Sequence, residues 1–202
     1  MRLKEELPSE ERSRLLAEHY RAILELLGED PEREGLRKSP ERIARAMEFL
    51  VSGYSKSPAE KLQSALFQEN YGNSERIILV KGIEFYSLCE HHMLPFFGNV
   101  HIGYIPNNKV VGLSKLSRLV EVFARRLQLQ ERMTQEILDA FNENVPNSGV
   151  IIMIEARHLC MQMRGVQKQN AVTTTYLYSG KFSQESKRRE FFEMLNTPCI
   201  TD

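Results

Sequence analysis

The sequence predicts an α+β protein: a helical region over residues 1–74, then a mostly antiparallel sheet with two central helices over residues 75–202. Three observations carry that prediction. Apolar residues recur at helical spacing through the first third and again between Ser114 and Val145. β-branched and aromatic residues gather around Ile77, Val100, Val150 and Thr173. Pro, Gly, Asn and Ser turn signals separate several of these runs.

Taken in order, Ser9 to Leu27 places Leu15, Leu16, Tyr20, Ile23, Leu24 and Leu27 on one stripe, with Ser9 as cap and Gly28 as stop. Ser39 caps a second helix with Pro40 at its first position, and Ile43, Ala44, Met47, Leu50 and Val51 lead on to Gly53. Ser57-Pro58 repeats that start for a short helix ending near Phe67, and Asn70 to Ser74 reads as a junction. From Arg76 the period changes. Ile77 to Val80 and Ile83 to Tyr86 are strand-like, with a bulge signal at Gly82. Asn99 to Ile105 alternates Val100, Ile102 and Tyr104 against Asn99, His101 and Gly103. Pro106-Asn107-Asn108 is a turn, Val110-Val111 a short extended piece, and an antiparallel hairpin is the economical arrangement.

Two helices follow, Ser114 to Leu127 and Gln130 to Val145. The first carries Leu116, Leu119, Val120 and Phe123 inward, the second Met133, Ile137, Leu138 and Phe141. Pro146 to Gly149 is a turn, Val150 to Ile154 a strand running on towards Arg164, Thr173 to Tyr178 another strand, and Ser186 to Asn196 a closing helix.

Composition narrows the function. The 27 basic and 27 acidic side chains cancel, so there is no global positive field for nucleic acid or an anionic membrane. No apolar run approaches the ~18 residues of a membrane span. The N-terminus lacks an apolar signal core, and an odd number of cysteines argues against a disulfide framework; both point to a cytoplasmic chain with reduced thiols.

The chemistry concentrates in Ser87-Leu88-Cys89-Glu90-His91-His92-Met93-Leu94-Pro95. Cys-x-x-His is a spacing that lets Cys89 and His92 reach one metal ion, and thiolate with imidazole suits zinc. A zinc site needs more ligands. If the strand after Ala156 continues, its alternation puts His158, Cys160, Gln162 and Arg164 on one face and Leu159, Met161 and Met163 on the packing face. Cys160 then becomes the third ligand, and three protein ligands leave the fourth position open, the catalytic pattern. The alternative for any one cysteine is ordinary core burial, and Cys199, with no His neighbour, takes that reading. His19 and His101 read as structural or solvated.

The helix start Ser114-Lys115-Leu116-Ser117-Arg118 sets two cations against the macrodipole, a conflict of about 0.3–1 kcal/mol each that a bound phosphate removes. A solvated surface pair is the alternative, and Arg164 adds a third candidate anion contact. Glu131 opens the next helix. It serves either as a carboxylate favoured by the dipole or as an acceptor-only group reading two adjacent N–H donors.

These segments resemble GTP cyclohydrolase I over nearly the whole chain. The resemblance rests on Ser87 to Pro95, Tyr104-Ile105-Pro106, Gly112 to Arg118, Gln128 to Thr134 and His158 to Val166, with Ser39 to Ala44 in the helical region. It implies a tunnelling fold, a homodecamer, and zinc-dependent hydrolysis of GTP to formate and 7,8-dihydroneopterin triphosphate, the entry to pterin and folate synthesis. It also implies zinc on Cys89, His92 and Cys160, with the ion activating the water that attacks guanine C8. By the same resemblance His91 and His158 handle protons and Ser114 acts near the ribose. Glu131 holds the guanine edge, with Gln130 also among the substrate-binding residues. Lys115, Arg118 and Arg164 bind the triphosphate, joined by Arg42 from a neighbouring chain.

Two rivals were weighed on residues alone. A zinc nucleoside deaminase needs a Cys-x-x-Cys that this chain lacks. A structural zinc module needs a closed four-ligand site and has no use for the cationic helix start.

Overall fold

The computed structural model describes residues 7–69 and 75–198, so the expected junction at 70–74 and Cys199 lie outside the described residues. The chain forms two compact units, Met1–Ser52 and Gly53–Asp202.

The first unit pairs α1 (Ser9–Leu26) with α2 (Ser39–Leu50). Arg12 Nε at 3.2 Å and Ser13 Oγ at 2.6 Å both donate to the Glu48 carboxylate and fasten the pair. Gly28, at φ +85°, ends α1 as the sequence predicts. The predicted caps are one residue off. Pro8 and Lys38 occupy the N-cap positions without a side-chain bond, and Ser39 instead bonds back to the Gly35 carbonyl at 3.4 Å. The apolar stripe of α1 is only partly covered within this unit, and Leu26 and Leu27 are exposed.

The second unit is built on a five-stranded sheet. In chain order it contains α3 (Pro58–Gln63), β1 (Leu66–Gln68), β2 (Ile78–Cys89), β3 (Pro95–Pro106), β4 (Lys109–Val111), α4 (Leu113–Ala124) and β5 (Leu127–Gln128). Then come α5 (Gln130–Asn144), β6 (Asn147–His158), α6 (Leu159–Gln162), β7 (Thr173–Gly180) and α7 (Glu185–Asn196). The sheet order is β5-β2-β3-β6-β7, antiparallel except for the short parallel β2–β5 contact. No helix among the described residues is long and apolar enough to cross a membrane.

Alternation decides which face each strand buries. Val100, Ile102 and Tyr104 of β3 and Val150, Ile152 and Ile154 of β6 face Leu116, Leu119 and Phe123 of α4 and Met133, Ile137 and Phe141 of α5. Each such side chain, fully removed from water, contributes about 1.5–3 kcal/mol. The opposite face is covered more thinly, by Phe182 and by Phe191 of α7 against Ile77, Ile105 and Ile151. Lys81 reaches across it and donates to the Met194, Leu195 and Thr197 carbonyls at the end of α7.

Three boundaries differ from expectation for identifiable reasons. The short helix stops at Gln63, because Leu66–Gln68 pairs with Lys109–Val111 as a separate two-stranded sheet. The helix expected to reach Leu127 stops at Ala124, and Leu127 and Gln128 join the sheet beside Leu88 and Cys89. β6 begins at Asn147, inside the expected turn, because β3 continues to Pro106 and offers it a partner.

Gly82 marks a bulge, as predicted. It sits at φ +75°, where the β2–β3 register shifts between Val80 and Ile83. Its N–H donates to Nδ1 of the buried His101 at 3.2 Å, so Nε2 carries the proton of the neutral ring. Among the described residues that Nε2 makes no hydrogen bond and has the Glu155 carboxylate at 3.6 Å. Burial pushes the His101 pKa down, and Glu155 opposes this more weakly. Since the unfolded chain takes up this proton near pH ~6.5 and the folded protein only at lower pH, His101 makes stability fall as pH drops through that window. His101→Gln keeps an acceptor for the Gly82 N–H but does not titrate. Its urea midpoint is expected to decline less than the wild type's between pH 7.5 and 5.5, and equal declines would show that His101 does not drive the loss.

Candidate metal centre

The centre lies where β2, β3 and β6 meet at one end of the sheet. Cys89 closes β2, and the chain turns through Glu90, His91 and His92 before β3 begins at Pro95. Backbone bonds hold that turn. Cys89 N–H donates to Leu94 O at 2.9 Å, His92 N–H and Met93 N–H donate to Cys89 O at 3.3 and 2.7 Å, and Glu90 N–H donates to Gln128 O at 3.1 Å. Met93 takes a left-handed φ of 55° to complete it. From outside, Arg132 grips Glu90 with both terminal nitrogens at 2.5 and 3.1 Å, tying the turn to the first turn of α5. This pair holds the Glu90 carboxyl below its usual range, chiefly through the Arg132 hydrogen bond.

The third ligand, Cys160, arrives just past the end of β6, by a route other than the predicted one. Phe96 pairs with His158, and β3 begins one residue earlier at Pro95, while β7 pairs no further than Ala156. With partners gone on both sides, the strand ends at His158, and Leu159–Gln162 turns into the single helical turn α6. The alternation expected through Arg164 therefore does not form. Met161 and Met163, expected to pack, are exposed, the latter by 61%, and Gln162 is buried with its amide bonded to Gln169 O at 2.8 Å. Cys160 nonetheless meets its predicted partners. One ligand atom each from Cys89, His92 and Cys160 lie within 4.8 Å of one another.

That set fits a divalent ion. Tetrahedral zinc bonds of about 2.0–2.3 Å bring ligand atoms to about 3.5–3.8 Å apart, a small contraction from the present separation. Burial, then the charge of Cys89, push the Cys160 thiol up, a conflict between two thiolates that a cation would relieve. Arg164 Nη1 donates to His92 Nε2 at 3.1 Å, since a guanidinium has no acceptor, so Nε2 carries a lone pair.

The neighbouring groups are placed as follows. His158, half-buried, stacks on Phe96 with centroids 4.7 Å apart and planes within 3°. Its Nε2 lies 2.8 Å from Gln130 Oε1. Burial lowers its pKa, with Glu131 opposing. His91 is exposed, its ring edge-on to His92 at 6.1 Å. Glu131 is exposed in the first turn of α5 and makes no hydrogen bond among the described residues. Ser114, Lys115 and Arg118 lie in the first two turns of α4, which starts at Leu113 and is N-capped by Gly112. The Lys115 and Arg118 side chains form no ion pair among the described residues, whereas Arg125, Arg126 and Arg132 each pair with a carboxylate. Arg42 is exposed on α2, in the other compact unit.

Sequence reasoning did not find the Phe96 platform, the Glu90–Arg132 clamp or the Gln130–His158 bond. The first two are visible only once strand register and helix start are known. Glu90 inside the Cys-Glu-His-His run was a signal left unread.

A family model described as GTP cyclohydrolase I matches residues 16–196. The chain is 52% identical over 190 residues to the GTP cyclohydrolase 1 of Porphyromonas gingivalis, covering 94% of this chain and 97% of that protein. It is 57% identical over 178 residues to the Campylobacter jejuni GTP cyclohydrolase 1, covering 88% and 92%. To that of Chlorobium phaeovibrioides it is 55% identical over 181 residues, covering 89% and 80%.

Cys89→Ser and Cys160→Ser are each expected to weaken zinc binding at least about ten-fold, by metal analysis after dialysis against a competing chelator. His158→Ala should retain its zinc. Loss of the ion from that variant would make His158 a fourth ligand and the site closed.

Proposed function

This chain belongs to the GTP cyclohydrolase I family, and from that premise we propose how its residues divide the work. It hydrolyses GTP, opening the guanine imidazole ring, releasing formate and reclosing the ring as 7,8-dihydroneopterin triphosphate, the first step of pterin and folate synthesis. The observation that carries this reading is the convergence of Cys89, His92 and Cys160 from two chain segments, beside the oriented imidazole of His158.

Those three residues would hold zinc, which supplies the Lewis acidity that activates water near neutral pH. His158 holds or accepts a proton at the reacting ring, and burial, by favouring the neutral imidazole, suits it to that task. His91 is the second proton carrier, in the same turn but outside the ligand set. Glu131, with no hydrogen-bond partner among the described residues, would accept two N–H bonds from a guanine edge. Lys115 and Arg118 meet the triphosphate at the start of α4, where their repulsion by the helix dipole turns into shared attraction for an anion. Arg164 would join them, Arg42 would reach the triphosphate of a neighbouring subunit, and Ser114 would serve the ribose. Gln130, which the resemblance implies among the substrate-binding residues, is buried with its side-chain amide engaged by the chain itself.

The assembly proposed is a decamer in the tunnelling fold, with sheets from several subunits joined. In support, β7 has one free edge, and β2 meets β5 only at Leu88 and Cys89, leaving most of its outer edge without a strand among the described residues. The metal thiolates need a reducing compartment, so the reaction is placed in the cytoplasm.

The deciding measurement is formate release from GTP, with and without a chelator. Formate that disappears with the metal is expected; ammonia without formate would replace this reading with a deaminase. Arg118→Ala should raise KM for GTP about 10–100-fold, the loss of one charge-assisted phosphate contact. His158→Ala should lower kcat by about 10²–10⁴ while keeping its zinc.

A further inference from the structure

Gln130 is buried to 2% exposure, and every polar atom of its side chain is engaged by the chain itself. Its Nε2 lies 3.1 Å from Ile154 O, 3.0 Å from Thr173 O and 3.1 Å from Thr175 Oγ1. Two of these acceptors are carbonyls and can only accept. Reversing the amide would set its oxygen against both, so the orientation is decided: Nε2 faces the sheet and Oε1 faces His158.

That orientation dictates the state of the imidazole. An amide oxygen has no proton to offer, so the 2.8 Å contact requires His158 Nε2 to donate. In the neutral ring the lone pair then resides on Nδ1. A half-turn of the ring would put Cε1 where Nε2 now meets Gln130 Oε1 and forfeit that bond, and the Phe96 stack at 4.7 Å and 3° opposes the turn itself. Further bonds brace the glutamine. Thr134 Oγ1 donates to Gln130 O at 2.8 Å, so Thr175 Oγ1 must donate across the 2.7 Å contact to Thr134 Oγ1, and it shares the two Gln130 amide protons with the two carbonyls.

We propose that Gln130 is a positioning residue rather than a substrate contact: it fixes His158 as the Nε2–H tautomer and so makes Nδ1 the edge that accepts a proton from the substrate. This rests on the assignment of His158 to proton handling.

The test uses the zinc-loaded protein with ¹³C,¹⁵N-labelled histidine, His158 being assigned by its absence in His158→Ala. The wild type is expected to show His158 as the neutral Nε2–H tautomer. Gln130→Met, which offers no acceptor, should show mixed tautomers. Its kcat is expected to fall about 10–100-fold, with KM for GTP within about three-fold of wild type and zinc unchanged. Gln130→Glu, which still accepts from Nε2–H, should keep the tautomer and more of kcat than the methionine variant. If Gln130→Met fails to fold, the wild-type and glutamate spectra still decide. An Nδ1–H tautomer in the wild type, or a rise in KM with kcat unchanged, would overturn the proposal. Should the wild type release no formate, the functional reading fails by itself, while the spectrum still reports whether Gln130 sets the ring.

Discussion

The register of β3 at Phe96 is the constraint on which the centre depends. Phe96 pairs with Ser87 of β2 on one side and with His158 of β6 on the other. Cys89 lies two residues beyond the first partner and Cys160 two beyond the second, so both thiols emerge at the same end of the same three strands. Phe96 itself is fully buried and supplies the surface on which the His158 ring rests. A slip of one residue in either pairing would send alternate side chains to the wrong face and separate the thiols together. The packing of Val100, Ile102 and Tyr104 against α4 and α5 keeps that register in place.

Around this point the polar interactions fall into two kinds. Gln130, Thr134, Thr175 and His158 form a buried network in which every side-chain polar atom of Gln130 has a partner, and such networks resist rearrangement because any broken bond is left unsatisfied away from water. Glu90–Arg132 and the cations of α4 lie nearer solvent, where screening leaves single ion pairs little stabilising effect. The rigid part thus holds the group proposed to keep one orientation, and the adaptable part holds the groups proposed to meet a polyphosphate.

Much of this was legible beforehand. The helices at Ser9, Ser114 and Gln130 and the strands at Val100 and Thr173 follow from periodicity, and the Gly82 bulge from a single residue. Cys160 meets Cys89 and His92 as expected, but not by the expected strand alternation. Strand alternation was extended past His158, because nothing in Leu159–Arg164 shows that β3 and β7 stop offering partners there. Gln130 was grouped with substrate contacts, since a glutamine beside Glu131 carries no mark of which way its amide faces. That information lies in the carbonyls of Ile154 and Thr173, which only pairing brings within reach. What the chain states locally was readable; what depends on who stands opposite was not.

The turn from Cys89 to Leu94 is closed by its own backbone bonds and by the Gln128 carbonyl, with no ligand side chain needed to shape it. The points at which Cys89 and His92 leave the main chain are therefore set by main-chain bonding, so the neighbouring side chains of the turn can change without moving either of them.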